Sequence, residues 1–233
     1  MLTIIGTPIG NLGDLSLRAA YALADAEVIL TEDTRSFDAL WRRVVEICEK
    51  NEHPIAKKAM IVSYYKEVEF QKLPDIIGWL TEGKQVALVS EAGMPLISDP
   101  GQLLISTVRK RNIPCTVIPG PSAVDTALVL SGMKHDQFMF VGFLPRKEND
   151  IKKLATKLFA VHELLDDTVF IAFDSPERIA TSVASIRSVY PNAELVIARE
   201  LTKKFEELII ASAPATDLSQ IKGECVIVMR FVR

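Results

Sequence analysis

Five short apolar runs, spaced through the first half of the chain and each followed by a helical pattern, constrain the fold more than any other feature. LTIIG (2–6), EVILTE (27–32), MIVSY (60–64), QVALVSE (85–91) and CTVI (115–118) read as strands. Between them, Leu17, Ala20 and Leu23 recur at helical spacing behind Asp14 or Ser16 as the cap, and Leu40, Val44 and Ile47 mark a second helix. A third helix ends near Glu82-Gly83, where the glycine suits a left-handed terminus, and a fourth runs through Arg111. Strands that are apolar on both faces and separated by helices call for a parallel sheet covered on both sides.

The second half is less regular. FMFVGF (138–143), TVFIAF (168–173) and ELVIAR (194–199) alternate with helices, and FEELIIA (205–211) is then followed by GECVIVMRFV (223–232). Two strands joined directly predict an antiparallel pair and therefore a mixed sheet. The pattern changes at Pro119-Gly120-Pro121, a hinge composition. The expectation is two α/β lobes, 1–119 with a mostly parallel sheet and 120–233 with a mixed one.

At 233 residues and 48% hydrophobic, the chain can bury a substantial core. No apolar run is long enough to span a bilayer, and the first residues lack a signal peptide's basic start and apolar stretch. Cys48, Cys115 and Cys225 are odd in number and widely spaced, which argues against a disulfide framework or a zinc site and for a reducing cytoplasm. Each cysteine reads as a small buried hydrophobe. A formal net charge of −3 argues against gripping naked RNA by electrostatics alone. Any nucleic-acid role rests on local patches or on the shape of an assembled particle.

Ligands of open α/β sheets bind beyond the carboxyl ends of the strands, and three loops there are unusual. The first is Gly6-Thr7-Pro8-Ile9-Gly10-Asn11-Leu12-Gly13-Asp14, whose glycines fit neither the dinucleotide nor the P-loop spacing. The second, residues 90–101, holds two glycines and two carboxylates and interleaves Leu96 and Ile97 with two prolines. Apolar residues inside such a loop suit a partly apolar ligand better than solvent. The third, Pro119-Gly120-Pro121-Ser122-Ala123, turns sharply into a helix and leaves amides at its N-terminus.

Together the stretches TPIGNLGDLSLRA (7–19), EDTR (32–35), VALVSEAGMPLISDPG (86–101), PGPSA (119–123), GFLPRK (142–147), SPERI (175–179), RELTKKFEE (199–207) and KGE (222–224) resemble the tetrapyrrole-methylase family. Within it they are most similar to the methyltransferases acting on the ribose 2′-oxygen of a cytidine in small-subunit (16S) ribosomal RNA. The chain departs from that branch at Met94, where threonine is usual, at 63–66, at 173–177, and in lacking a short C-terminal extension.

The resemblance implies S-adenosylmethionine in a cleft between the lobes, near Pro8, Met94, Ile97, Ser122 and Ala123, with Phe173, Ala198 and Glu224 from the second lobe. A ribose hydroxyl is a poor nucleophile and needs a proton acceptor. Asp33, Asp99 and Glu200 are the candidates, with Arg35 beside Asp33. Arg146, Lys147, Arg199 and Lys203 are candidate contacts to RNA phosphate. The resemblance also implies a homodimer acting on the small ribosomal subunit, with neither metal nor membrane. The other basic groupings (Arg42-Arg43, Lys57-Lys58, Arg109-Lys110-Arg111, Lys152-Lys153) read as solvated helix faces. His53, His135 and His162 fall outside every motif and read as surface or interface residues. Two alternatives stay open: methylation of a corrin or porphyrin precursor, and a module that binds S-adenosylmethionine without catalysis.

Overall fold

The computed structural model describes residues 1–35, 37–55, 59–211, 218 and 220–232. Lys57-Lys58 lies outside the described residues. The chain divides into two compact α/β units, Met1–Ser122 and Ala123–Arg233, each with its own five-stranded sheet.

In the first unit the strands are β1 (Leu2–Ile5), β2 (Val28–Thr31), β3 (Met60–Ser63), β4 (Val86–Val89) and β5 (Cys115–Ile118). They lie in the order β3-β2-β4-β1-β5 and every pairing is parallel. Helices α1 (Leu17–Ala24) and α2 (Phe37–Lys50) pack with Ile5, Ile29, Ala87 and Val89 on one face. Helices α3 (Glu69–Thr81) and α4 (Gln102–Lys110) pack with Leu2, Ile4, Leu30 and Leu88 on the other. Both faces of β2 and β4 are therefore dry, which is why their sequences do not alternate. Of the two possible caps, Ser16 closes α1: its Oγ accepts from the Ala19 amide at 3.1 Å.

The faces matter for the site. The chain leaves β1 and β2 toward the α1/α2 face and leaves β4 toward the α3/α4 face. Because β4 lies between β2 and β1, the loop following it stands at a topological switch point, where neighbouring connections diverge and open a crevice.

The second unit contains α5 (Ala123–Ser131), β6 (Gln137–Phe143), α6 (Glu148–Leu164), β7 (Thr168–Asp174), α7 (Ile179–Val189), β8 (Glu194–Arg199), β9 (Glu207–Ile210) and β10 (Cys225–Arg230). Its sheet is mixed, as expected: β6 and β7 are parallel, and the remaining pairings are antiparallel in the order β6-β7-β10-β8-β9. Helices α6 and α7 cover Phe170, Ala172, Ile197 and Ile227 on one face, while α5 packs on β7, β8 and β10.

Three expectations need correction. The antiparallel partner of β9 is β8 and not β10, because β10 enters the sheet between β7 and β8. Burial explains the choice: β10 is buried along almost its whole length and belongs in the centre, whereas β9 is mostly exposed and takes the edge. Cys48 and Cys225 are buried, but Cys115 is exposed, because it opens the edge strand β5. His162 is buried in a ring cluster with Phe159 and Phe231 and is not a surface residue.

Candidate active site

The three glycine- and proline-rich loops of the first unit are locked to one another by backbone. Gly6 N–H donates to the Ile118 carbonyl at 2.9 Å, and Thr7 and Gly93 form an antiparallel bridge. The Thr7 hydroxyl reaches the carbonyls of Ser90 and Gly93. Gly6 and Gly120 touch so closely that a Cβ on Gly6 would stand 2.5 Å from the Gly120 nitrogen. Met94 lies over this contact, its thioether sulfur accepting from Gly120 N–H at 3.2 Å. Pro8 is buried, Met94, Ser122 and Ala123 are half-buried, and Ile97 presents an exposed apolar side chain. The structure thus brings Pro8 and Met94 to one set of strand ends, with Ser122-Ala123 following β5 into α5.

The loop after β4 is conformationally strained. Leu96 and Ser98 both adopt φ 72°, a region side-chain-bearing residues rarely enter, and Gly101 has φ 127°. Its far end is tied down by Glu69. One oxygen of that carboxylate accepts from Gly101 N–H at 2.6 Å and from the fully buried Tyr64 hydroxyl at 3.0 Å. Removing this acceptor leaves two buried donors without a partner. Glu69→Ala is therefore expected to lose about 1–3 kcal/mol of stability and to weaken donor binding, with Glu69→Gln retaining most of both. Chemical denaturation beside a donor titration checks this.

Three carboxylates gather at the switch point. Glu32 follows β2, while Glu91 and Asp99 lie in the loop after β4. Burial pushes the Glu32 carboxyl up to about 7, and the charges of Asp99 and Glu91 push in the same direction. Burial raises Asp99 to about 6; a hydrogen bond from Ser90 opposes that rise and Glu91 adds to it. No lysine or arginine pairs with any of the three among the described residues. Uncompensated carboxylates next to an apolar loop fit a ligand that joins an apolar body to a fixed positive charge. Glu32 and Asp99 are also suited to accept a proton near neutral pH.

The other acidic candidates are engaged differently. Asp33 holds Arg35 through both carboxylate oxygens, at 2.8 Å to Nη2 and 3.1 Å to Nε, in an exposed pair. In the second unit Glu200 meets Lys203 at 3.1 Å and the Glu224 amide at 3.1 Å. Burial alone would raise Glu200, but these bonds and the charges of Lys203 and Arg199 outweigh it and hold the carboxyl below its ordinary range. That makes Glu200 a poor proton acceptor. Glu224, itself largely exposed, pairs with Lys203 at 2.8 Å.

Sheet register sets Phe173 and Ala198 on either side of Val226, just beyond Glu224, so the second-unit donor candidates share one end of that sheet. Of the four phosphate candidates, Arg199 is bound to Glu207 at 2.6 Å and Lys203 to two glutamates. Arg146 and Lys147 are exposed, and no ion pair or side-chain hydrogen bond engages either among the described residues. Sequence reasoning missed Glu32, although it lies next to Asp33 in the EDTR stretch. It also gave no role to Arg178.

A concavity of about 570 Å³, lined by Leu73, Pro74, Ile77 and Arg111, lies between α3 and α4. It holds none of the candidate residues. The described residues contain no cluster of side chains able to hold a metal ion and no helix long and apolar enough to cross a membrane.

Two α/β units, with glycine-rich loops at the strand ends of the first and three carboxylates there that no lysine or arginine pairs among the described residues, suit the binding of a small cationic ligand. The chain belongs to the Tetrapyrrole (Corrin/Porphyrin) Methylases, whose family model matches residues 1–217. Members of this family use S-adenosylmethionine as methyl donor. The chain is 38% identical over 206 residues to a Thermotoga maritima protein named Ribosomal RNA small subunit methyltransferase I, covering 88% of this chain and 85% of that one. A Hydrogenobaculum protein of the same name is 37% identical over 233 residues, covering 98% and 94%. Among solved structures, the methyltransferase CobJ superposes with a TM-score of 0.67 over 99% of this chain and 94% of its own. At 15% identity, that likeness concerns the fold alone.

Proposed function

We propose that this chain transfers a methyl group from S-adenosylmethionine to the ribose 2′-oxygen of a cytidine in small-subunit ribosomal RNA. The observation that carries this reading is the 37% identity with a ribosomal RNA small subunit methyltransferase I across 94% of that protein's length. The bound donor supplies an electrophilic methyl on a sulfonium centre.

The chain's own residues do the rest. Pro8, Met94 and Ile97 give the donor apolar walls, the Ser122 and Ala123 amides hold its polar groups, and the carboxylates beyond β2 and β4 balance its charge. In the second unit Phe173, Ala198 and Glu224 are the proposed donor contacts. Displacement at a methyl group is mostly a matter of alignment, so the locked loops matter more than any single side chain. Asp99 and Glu32 are the proposed acceptors of the hydroxyl proton. Arg35, held by Asp33, is proposed to steer the substrate. Arg146 and Lys147 are the proposed phosphate contacts, and Arg199 and Lys203 brace the loop after β8. A cytoplasmic homodimer acting on the assembled subunit completes the reading, and shape recognition of a particle suits a chain of net charge −3.

Small subunits purified from a strain lacking this gene, given labelled S-adenosylmethionine and the purified chain, are expected to yield label as 2′-O-methylcytidine at one site. Label absent from RNA but present in a corrin or porphyrin precursor would overturn the proposal.

A further inference from the structure

Arg178 and Asp174 lie outside the three loops of the first unit, and they form a connected polar cluster around a buried carboxylate in the second unit. The Asp174 side chain is fully buried at the end of β7. One of its oxygens accepts from Arg178 Nη2 at 2.5 Å and from the Ser175 amide at 2.9 Å, and the other from the Ser182 hydroxyl at 2.5 Å. Arg178 also donates to backbone and to Ser175. Its Nη1 reaches the carbonyls of Leu144 at 3.3 Å and Pro145 at 3.1 Å, and its Nε reaches Ser175 Oγ at 3.2 Å. On the other side, Leu144 N–H donates to the Phe173 carbonyl at 2.9 Å.

The turn between β6 and α6 is thereby held at both Leu144 and Pro145, and the two residues that follow are Arg146 and Lys147. Both are exposed and unengaged among the described residues. A guanidinium can do this because its planar fork presents several fixed donors at once; an ammonium on the same stem cannot span Asp174 and two carbonyls. A buried carboxylate also needs partners for both oxygens, and here it has them. The construction ties a buried anchor to a turn that ends in two exposed cations, and pre-setting such a turn lowers the ordering cost of a contact made by flexible basic side chains.

We infer that Arg178, anchored by Asp174, is a positioning residue that holds the Leu144-Pro145 turn so that Arg146 and Lys147 meet the phosphates of the RNA substrate. This inference rests on the proposed RNA substrate. It adds to that reading a recognition element whose effect passes through a residue that touches no RNA.

The test uses the full chain, unmethylated small subunits and labelled donor. The KM for subunits is measured at several salt concentrations, beside kcat, donor affinity by calorimetry, and thermal unfolding. The Arg146→Ala/Lys147→Ala double variant is expected to raise the subunit KM and to flatten its dependence on salt by about one unit of log–log slope per lost contact. Arg178→Ala is expected to raise the same KM about tenfold, the factor carried by one or two charge-assisted contacts, with kcat and donor affinity within about twofold of wild type. Arg178→Lys keeps the charge but not the fork, so a flattened salt slope in that variant marks lost positioning and not lost charge. Adding Arg178→Ala to the double variant is expected to change KM by less than about twofold, as it must for a residue acting through the other two.

If Arg178→Ala does not fold, Asp174→Asn, which keeps the side-chain shape, is read in the same way. An unchanged KM in a folded variant, a full additional loss in the double-variant background, or a parallel loss of donor affinity would each overturn the inference. Wild-type chain that methylates subunits while the double variant binds them normally overturns this inference alone. Wild-type chain that labels no subunit RNA overturns the functional reading together with it.

Discussion

Replacing Gly120 with alanine is expected to destabilise the chain by about 2–3 kcal/mol, lowering its unfolding temperature by roughly 5–10 °C, and to weaken donor binding at least tenfold. The reason is a backbone-on-backbone approach with no side chain available to yield. A Cβ on Gly120 would lie 2.6 Å from the carbonyl carbon of Gly6 and 2.7 Å from its Cα and oxygen, all under the distances real Cβ atoms keep. Moving Gly6 away strains its bond to the Ile118 carbonyl and the neighbouring Thr7–Gly93 bridge, and those are the contacts that join the three loops. Moving Gly120 away withdraws the donor that holds the Met94 sulfur at 3.2 Å. Gly6→Ala meets the same obstacle and in addition the Met94 sulfur, at 2.6 Å. The comparison that makes the test sharp is Gly78→Ala, inside α3, where an added Cβ meets nothing within 4 Å. There the better helix propensity of alanine should stabilise by about 0.5–1 kcal/mol and leave donor binding alone. Thermal unfolding and calorimetric titration of the three variants check the set. Near-wild-type donor affinity in Gly120→Ala would mean that the interlocked loops do not form the donor site.

What the sequence makes legible follows from how burial writes itself into residues. The parallel sheet is readable because β2 and β4 are dry on both faces, and a strand with two buried faces has no polar alternation to hide it. Strand order is not written locally. Nothing within Cys225–Arg230 says that β10 enters between β7 and β8, because a connection of suitable length serves a hairpin and a crossing equally well. The exposure of Cys115 is hidden for a related reason, since a short apolar strand looks the same whether it lies at an edge or in the centre. The three loops are readable because glycines and prolines announce close approaches and unusual turns, as Gly6, Gly120 and Gly101 demonstrate. Glu32 was overlooked because neighbouring residues at a strand end point to opposite sides, and the sequence does not label the sides. Asp33 turns to Arg35, whereas Glu32 feels Asp99 and Glu91. The reach of Arg178 to the Leu144 and Pro145 carbonyls is equally hidden, because a bond to backbone more than thirty residues away leaves no mark on side-chain identity.

The largest effect on chemistry is expected at the two raised carboxylates. Asp99→Asn and Glu32→Gln should each reduce kcat on small subunits by about 10²–10⁴, the usual contribution of a positioned proton acceptor, with smaller effects on the KM for subunits. The pH profile follows from the two carboxyls. Glu32, raised to about 7, and Asp99, raised to about 6, must lose their protons before they can accept one. Activity of the wild-type chain should therefore climb as pH rises through 6 to 7 and level off above. Donor affinity should climb over the same range, because a sulfonium is held by carboxylates and not by neutral acids. Stability runs the opposite way. The folded-state value for Glu32 lies above the ordinary 4.5, so its stabilising contribution is complete below about 4.5 and is lost as pH rises through about 7. At pH 8 the folded chain carries a charge that it holds poorly, and Glu32→Gln should relieve it by on the order of 1 kcal/mol after allowance for partial solvent screening. Removing a side chain that serves structure lowers both stability and rate. Removing one that is kept charged for chemistry, against the preference of the fold, should raise stability while the rate collapses. Unfolding and single-turnover transfer measured on Glu32→Gln at pH 8 separate the two cases, and a variant that loses stability together with activity would assign Glu32 a structural role.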